Sequence, residues 1–271
     1  MIKLFDLKSK KAVITGGAGI LGSAIALGLG RAGAEIAVCD MADTEKLVVS
    51  LRKEKIRAKG FYVNVLEKKS IEFCCKEAAE YLGRVDILIN AAGGNSKDAT
   101  TSKDLSFFNL QLEGLQKVVA LNLFGGAILP CQVFGKEMVK NKNGGSIINI
   151  SSMNALRPLT RIPGYSAAKA AVSNFTQWLA VHFAQEYNKK LRVNAIAPGF
   201  FLTNQNRFLL LDEKGNLTPR GNSIITHTPV GRFGKPEELI GACVWLASDA
   251  SQFVTGIVLP IDGGFNAFSG V

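Results

Sequence analysis

The stretch AVITGGAGILG, residues 12–22, decides the fold. Its first four residues, Ala12 to Thr15, read as a short buried strand, and a helix is expected over 21–31. Between them, Gly17-x-Gly19-x-x-Gly22 fits the dinucleotide fingerprint. Glycines there let the backbone turn sharply and approach a pyrophosphate seated on the helix N-terminus. Alone, the pattern describes any tight turn. After a strand and before a helix, it points to a nucleotide cofactor.

Working outward, the same alternation runs along the whole chain. Strands are expected at 12–15, 35–39, 58–63, 87–90, 146–150, 192–197 and 256–261, with helices at 21–31, 45–53, 70–81, 114–140, 167–188 and 237–247. The strands are continuous Val/Ile/Leu runs, the pattern of a parallel sheet covered on both faces. Repeated strand–helix–strand units predict an α/β fold: a Rossmann-type doubly wound parallel sheet of about seven strands with helices on both faces. No Pro/Ser-rich linker and no repeat divides residues 1–271, so one domain is expected. Ligands in such folds bind beyond the carboxyl ends of the strands.

Composition excludes several classes. With 47% hydrophobic and 20% charged residues, the chain reads as an ordinary soluble globular protein. The apolar run at 121–124 is followed by Gly125, Gly126 and Pro130, too interrupted to span a bilayer, and no signal-like region opens the chain. The expected compartment is the cytoplasm, with no membrane partner. Cys39, Cys74, Cys75, Cys131 and Cys243 show no metal-ligand spacing and read as reduced thiols, with no metal expected. The net charge of +10 comes from dispersed Lys and Arg without an interleaved aromatic stripe, so no nucleic-acid partner is expected. A positive field also draws in anionic substrates.

Asp40 stands eighteen residues past Gly22, at the end of the second strand. A carboxylate there can accept both ribose hydroxyls of the adenosine and repel a 2′-phosphate, which favours NAD over NADP; the plain alternative is a helix cap. Tyr165 and Lys169, four apart on a helix, place phenol and ammonium on one face. A phenol titrates near 10, and a neighbouring cation lowers that value toward a working acid–base range. Ser152 ends the strand before this helix. Asn90-Ala91-Ala92-Gly93, Asn122 and Pro198-Gly199-Phe200-Phe201-Leu202-Thr203 also lie where the fold rule puts a ligand.

With these pieces in place, the chain resembles the short-chain dehydrogenase/reductase family along essentially its whole length. The resemblance rests on TGGAGILG at 15–22, NAAG at 90–93, Asn122, ISS at 150–152, YSAAK at 165–169, PGFFLT at 198–203 and IDGG at 261–264. It implies Tyr165 as general acid/base, Lys169 on the nicotinamide ribose, Ser152 on the reacting oxygen and Asn122 anchoring a relay water. It implies an NAD site made by Gly16, Gly17, Gly19, Ile20, Leu21, Asp40, Asn64, Val65, Asn90, Ala91, Ala92, Gly93, Tyr165, Lys169, Pro198, Gly199, Phe201 and Thr203. The N-terminal part would bind cofactor, and the C-terminal part would cover substrate and make oligomer contacts, a homotetramer first and a dimer next. Two departures concern cofactor affinity. Ile20 replaces a loop glycine, so the turn is expected to be altered and rescued by Gly19; Asn64 replaces an Asp, and its carbonyl can still accept.

Longer stretches, including SSMNALRPLTRIPGYSAAKAAVSNFTQWLAVHFA, resemble the D-mannonate oxidoreductase (fructuronate reductase) branch, which acts on open-chain sugar acids. A hydride transfer between NAD and a sugar acid is therefore expected. The alternatives are a related aldonate such as gluconate, a neutral polyol or keto sugar, and a non-catalytic cofactor-binding regulator. The substrate site is expected from Ser152, Asn154, Arg161 and Tyr165, because the segment between Ser152 and Tyr165 must arch over the reacting carbon. A planar guanidinium suits a carboxylate. Arg157, Arg207 and Asn206 are weaker candidates, as is His227, while His182 reads as a core or interface residue.

Overall fold

The computed structural model describes residues 3–203 and 206–270. Seven strands form one parallel sheet: β1 (Lys11–Thr15), β2 (Glu35–Asp40), β3 (Ala58–Tyr62), β4 (Ile87–Asn90), β5 (Gly145–Ile150), β6 (Leu191–Pro198) and β7 (Val258–Ile261). The order is β3-β2-β1-β4-β5-β6-β7. The chain runs outward from β1 to β3, then crosses back to start again at β4 on the other side of β1. That reversal opens a crevice at the carboxyl ends of β1 and β4, the binding position of this topology.

Neighbouring residues of one strand feed two cores. Ile14, Ile36 and Val38 pack with Ile25 and Leu29 of α1 (Ile20–Arg31), Val48 and Leu51 of α2 (Glu45–Lys53) and Leu246. Val13, Ala37 and Leu88 point to the other face, against Ile71 of α3 (Lys68–Leu82) and against Phe134, Met138, Leu179 and Phe183. Fully burying each such side chain contributes about 1.5–3 kcal/mol. The expected continuous burial holds for the central strands. It fails at the edges, where β3 alternates and β7 is half exposed, because an edge strand has a neighbour on one side only. β7 also starts later than expected, because Gly256 takes a φ of +80° and makes a turn.

The run Leu112–Met138 is the long helix expected over 114–140, and its glycines and proline do not interrupt it, contrary to the expectation drawn from composition. It is one helical rod: α4 (Leu112–Val119), a π-helical stretch over Ala120–Ile128, and α5 (Leu129–Met138). Pro130, just past the π-helical stretch, removes one main-chain donor from the middle of the rod without breaking it. By length and a mean hydropathy of 1.7 the rod could cross a membrane, yet half of that window is buried in the fold, against α3 and the following long helix. That helix, α6 (Pro163–Glu186), begins earlier than expected because Pro163 takes the N-terminal position, which puts Tyr165 in its first turn. Two short helices, α7 (Arg207–Leu210) and α8 (Pro219–Thr226), were not foreseen, and α9 (Ile240–Ala247) follows a short 3₁₀ turn. All five cysteines are buried, unpaired thiols.

Candidate active site

The crevice floor is the turn between β1 and α1. Gly16 has a φ of +66°, and a Cβ there would come within 2.5 Å of the Ala92 nitrogen; one on Gly22 would meet the Gly16 carbonyl at 2.2 Å. Side chains cannot enter this cradle. Ile20 does not disrupt it, because the Gly19 N–H closes the turn onto the Gly16 carbonyl at 3.2 Å and Ile20 becomes the first residue of α1. No side chain caps α1 and its first turn holds no acidic residue, so its N–H groups and partial positive end face the crevice. A narrow backbone cradle at an unneutralised helix end fits the pyrophosphate of a dinucleotide.

Asp40 closes the adenosine side. Its carboxylate accepts from the Ala18 N–H and the Ala42 N–H, each at 2.9 Å, and α2 is capped at Thr44, so Asp40 is not that helix's cap. Asn64 serves its own turn: its amide donates to Glu67 at 2.7 Å and its carbonyl accepts from the Leu66 N–H at 3.1 Å, leaving one lone pair. Val65 is buried, and its carbonyl lies where a Cβ on Gly125 would come within 2.9 Å.

Several expected cofactor residues can offer main chain only. The Asn90 side chain turns into the core, donating to Asn149 at 2.9 Å, which in turn donates to Thr176 on α6. Phe201 is 4% exposed, packed in the core against Gly234. Gly199 lies against Asp262, and its N–H bonds the Ile261 carbonyl at 2.9 Å. Ala91, Ala92 and Gly93 line the exit of β4; a Cβ on Gly93 would come 2.7 Å from the Asn122 side-chain oxygen and 3.3 Å from Lys169 Nζ. Leu21 packs on the core, and the Thr203 N–H donates to Asn206 at 2.8 Å.

Ser152, Tyr165, Lys169 and Asn122 converge beside Gly93. The Asn122 amide sits in the π-helical stretch and spends itself on the protein. It donates to the carbonyls of Gly94 at 2.6 Å and Val118 at 2.8 Å, and accepts from the Gly94 N–H at 3.2 Å. These bonds staple the β4 exit loop to the helix. Lys169 is 4% exposed, with Nζ donating to the Ile150 carbonyl at 2.8 Å and lying 5.7 Å from the Tyr165 ring centroid. Ser151, which the sequence reading passed over, ties the end of β5 to α6 through the Lys169 carbonyl at 3.1 Å and the Ser173 hydroxyl at 2.7 Å.

Electrostatics here differ from the expectation. The Tyr165 phenol is pushed above its ordinary value, because burial disfavours phenolate more than the hydrogen bond with Ser152 favours it. The same burial pulls the Lys169 ammonium down to about 8. In the protein alone, desolvation outweighs the mutual help expected of the pair, and both groups lean toward their neutral forms.

The arch from Ser152 to Tyr165 is internally braced. Asn154, expected on the substrate, is 7% exposed and turned inward: its amide donates to the Ser152 hydroxyl at 3.2 Å and its carbonyl accepts from the Leu159 N–H at 3.1 Å. It therefore orients Ser152. Arg157 donates to the Phe268 carbonyl at 2.7 Å, anchoring the C-terminal tail, whose Phe265 ring packs 5.2 Å from Phe200. Arg161 is exposed. Asn206 braces its own loop by donating to the Phe201 carbonyl, and Arg207 is exposed. His227 bonds the Ser223 carbonyl at 2.8 Å and meets Phe268, while His182 stacks on Trp178 at 4.7 Å.

A family model described as enoyl-(acyl carrier protein) reductase matches residues 16–266. An "uncharacterized oxidoreductase UxuB" of Bacillus subtilis is 48% identical over 286 residues, covering 100% of both chains. The 2-dehydro-3-deoxy-D-gluconate 5-dehydrogenase of Formosa agariphila is 35% identical over 272 residues, covering 99% of this chain and 97% of that one. A crystal structure from Haemophilus influenzae, provisionally described as a D-mannonate oxidoreductase with bound NAD, superposes with a TM-score of 0.90 at 46% identity, covering 98% of each chain. Other solved neighbours hold NADP.

The buried ammonium makes a stability prediction. Its folded value lies below the ordinary 10.5, so the penalty is fully present below about pH 8 and fades as pH rises toward 10.5. Across that window the wild type should gain on Lys169→Met by up to about 3 kcal/mol. Urea midpoints of the two proteins at neutral and alkaline pH measure it; a pH-independent gap would mean that burial does not penalise this cation.

Proposed function

The chain belongs to the short-chain dehydrogenase/reductase family of oxidoreductases, and on that premise we propose that it transfers a hydride between NAD and a sugar acid, with D-mannonate and D-fructuronate the favoured pair. The convergence of Ser152, Tyr165 and Lys169 beside Gly93, at the mouth of the glycine cradle, carries this reading. The chain acts as one domain, in the cytoplasm, its N-terminal part holding cofactor and its C-terminal part covering substrate and making oligomer contacts.

When bound, the nicotinamide gives or takes the hydride. The protein's own groups handle the oxygen and the proton. The Ser152 hydroxyl, oriented by the Asn154 amide, holds the reacting oxygen. Tyr165 gives a proton to that oxygen in reduction and takes it back in oxidation. A phenol pushed upward by burial is a reluctant base, and positive charge brought beside it by Lys169 and an oxidised nicotinamide favours the phenolate. Lys169, held on the Ile150 carbonyl, keeps two further N–H donors, which would hold the ribose of a bound nicotinamide.

Support for NAD comes from Asp40, whose carboxylate is fixed at the edge of the cradle where a 2′-phosphate would meet it, and from the Haemophilus neighbour's bound NAD. Support for a sugar acid comes from the relatives' names and from Arg161, exposed at the arch. The gluconate-type relatives make a related aldonate the second reading. A homotetramer is favoured by apolar side chains left on the outer faces of the Leu112–Met138 rod and α6, such as Phe124, Trp178 and Val181, each about half exposed.

Three outcomes test this. Tyr165→Phe should lose at least about 10²-fold in turnover while still binding cofactor by fluorescence titration; near-full activity would remove Tyr165 from the chemistry. Turnover should favour NAD over NADP, and Asp40→Ser should narrow the gap; an unmodified protein that prefers NADP overturns the cofactor assignment. In a panel of aldonates, uronates and alditols, kcat/KM should be highest for a six-carbon sugar acid, and equal use of the matching alditol would sink that substrate class.

A further inference from the structure

The segment after β7, residues 262–268, folds into a tight brace. Asp262 accepts from the Gly264 N–H at 3.0 Å and the Asn266 N–H at 2.8 Å. The Gly264 carbonyl accepts from the N–H groups of Ala267 and Phe268, each at 3.1 Å. Gly263 and Gly264 take φ values of +65° and +88°, which glycine adopts without a steric penalty. A Cβ on Gly263 would come within 2.9 Å of Thr228, and one on Gly264 within 3.1 Å of Pro229. The segment is therefore pressed against the residues that leave α8, where the Val230 N–H also donates to the Gly263 carbonyl at 3.1 Å. On its other side Phe265 packs edge-on against Phe200, just past β6.

Phe268 then joins two elements that are far apart in the chain. Its carbonyl accepts from Arg157 Nη1 at 2.7 Å, and Arg157 lies in the arch between Ser152 and Tyr165. Its ring meets the His227 ring edge-on, with centroids 6.3 Å apart. His227 ends α8, and its Nδ1 lies 2.8 Å from the Ser223 carbonyl one turn back, which fixes the ring. The arch is stiff at the same point. The Arg157 N–H donates to the Met153 carbonyl at 2.9 Å, and the Asn154 side chain joins the Leu159 N–H to the Ser152 hydroxyl. Arg157 is exposed and meets no acid among the described residues, so the bond to Phe268 is what directs its guanidinium. One residue thus links the strand end that carries Ser152 to the helix of the cover segment.

We propose that Arg157 and Phe268 are positioning residues, through which the segment after β7 straps α8 to the arch and holds the substrate cleft in its binding-competent shape. This rests on the hydride-transfer reading above and adds to it the contact that keeps the cover in place. Ser152 is held by Asn154, and Lys169 by the Ile150 carbonyl, so the chemical groups keep their places without the strap. The strap therefore acts on substrate binding and leaves the chemical step alone. Apparent affinity falls in proportion to the fraction of molecules whose cover is closed. A loosened cover weakens acid and neutral substrates alike, whereas a lost contact to a carboxylate would weaken the acid alone.

Amide hydrogen exchange and steady-state kinetics at saturating NAD test this with Arg157→Ala, Arg157→Lys and Phe268→Ala, the last keeping the carbonyl and removing only the ring. Both alanine variants should quicken exchange of the α8 amides severalfold, while those of β5 and α6 stay at wild-type rates. In Arg157→Ala, KM for the best sugar acid of the panel and for its best neutral compound should rise together by about tenfold, the low end for a hydrogen bond to a charged group. Turnover and KM for NAD should stay within about twofold, because the strap touches neither the chemical groups nor the glycine cradle. Arg157→Lys keeps a cationic donor and should recover most of the lost affinity. Unchanged α8 exchange in both alanine variants overturns the strap. Faster exchange spread through β5 and α6 overturns it as well, since Arg157 would then be a general stabiliser. A loss confined to the acid would make Arg157 a substrate contact and also overturn the strap. Loosening of α8 in a protein that moves no hydride to or from any compound of the panel removes the hydride-transfer reading and leaves the strap standing.

Discussion

The hydrogen bond from the Lys169 ammonium to the Ile150 carbonyl is the contact on which the rest of the site depends. It joins the end of β5 to the first turns of α6, and so sets where Tyr165 stands relative to Ser152. The carbonyl is available because Ile150 is the last residue of its strand. The ammonium is obliged to find a partner because burial leaves it almost no water. Ser151 and Asn149 add a second and third stitch between the same two elements, through Ser173 and Thr176. Three polar stitches along one strand–helix seam fix a register that apolar packing alone would leave freer to slide.

The site is unfavourable electrostatically before anything binds. An ammonium is buried without a carboxylate, and a phenol is pushed toward its neutral form. The buried ammonium costs stability that the two hydrophobic cores supply. Negative charge bound beside the ammonium would offset that cost, whereas the phenol needs positive charge beside it to ionise. The apolar sheet and the strained site are complementary parts of one free-energy balance.

Close approach is the other organising constraint. Gly16, Gly22, Gly93 and Gly126 sit where a methyl group would strike backbone or a site side chain. Their spacing lets β1, β4 and the π-helical stretch meet within van der Waals distance at one point. The π stretch widens the rod at Asn122, whose amide can then reach back to Val118 and across to Gly94. A regular α-helix there would aim that amide elsewhere.

Much of this was legible in the sequence by itself. Apolar runs of strand length and the glycine turn after residue 15 carried the seven parallel strands and the crevice, because period and turn chemistry are local properties. The spacing of Tyr165 and Lys169 placed both on one helix face for the same reason. What only the tertiary structure decided depends on burial and on contacts between distant segments. Asn90 read as a site residue and its side chain turned into the core, because its partner Asn149 comes from the neighbouring strand β5. Asn122 became a staple because Gly94 lies against it. The direction of the Tyr165 shift followed from desolvation, which no spacing reveals. Local pattern determines which elements form and which way a residue faces along its own element; solvent exclusion and long-range neighbours, set by the packed chain, determine its charge state and its partner.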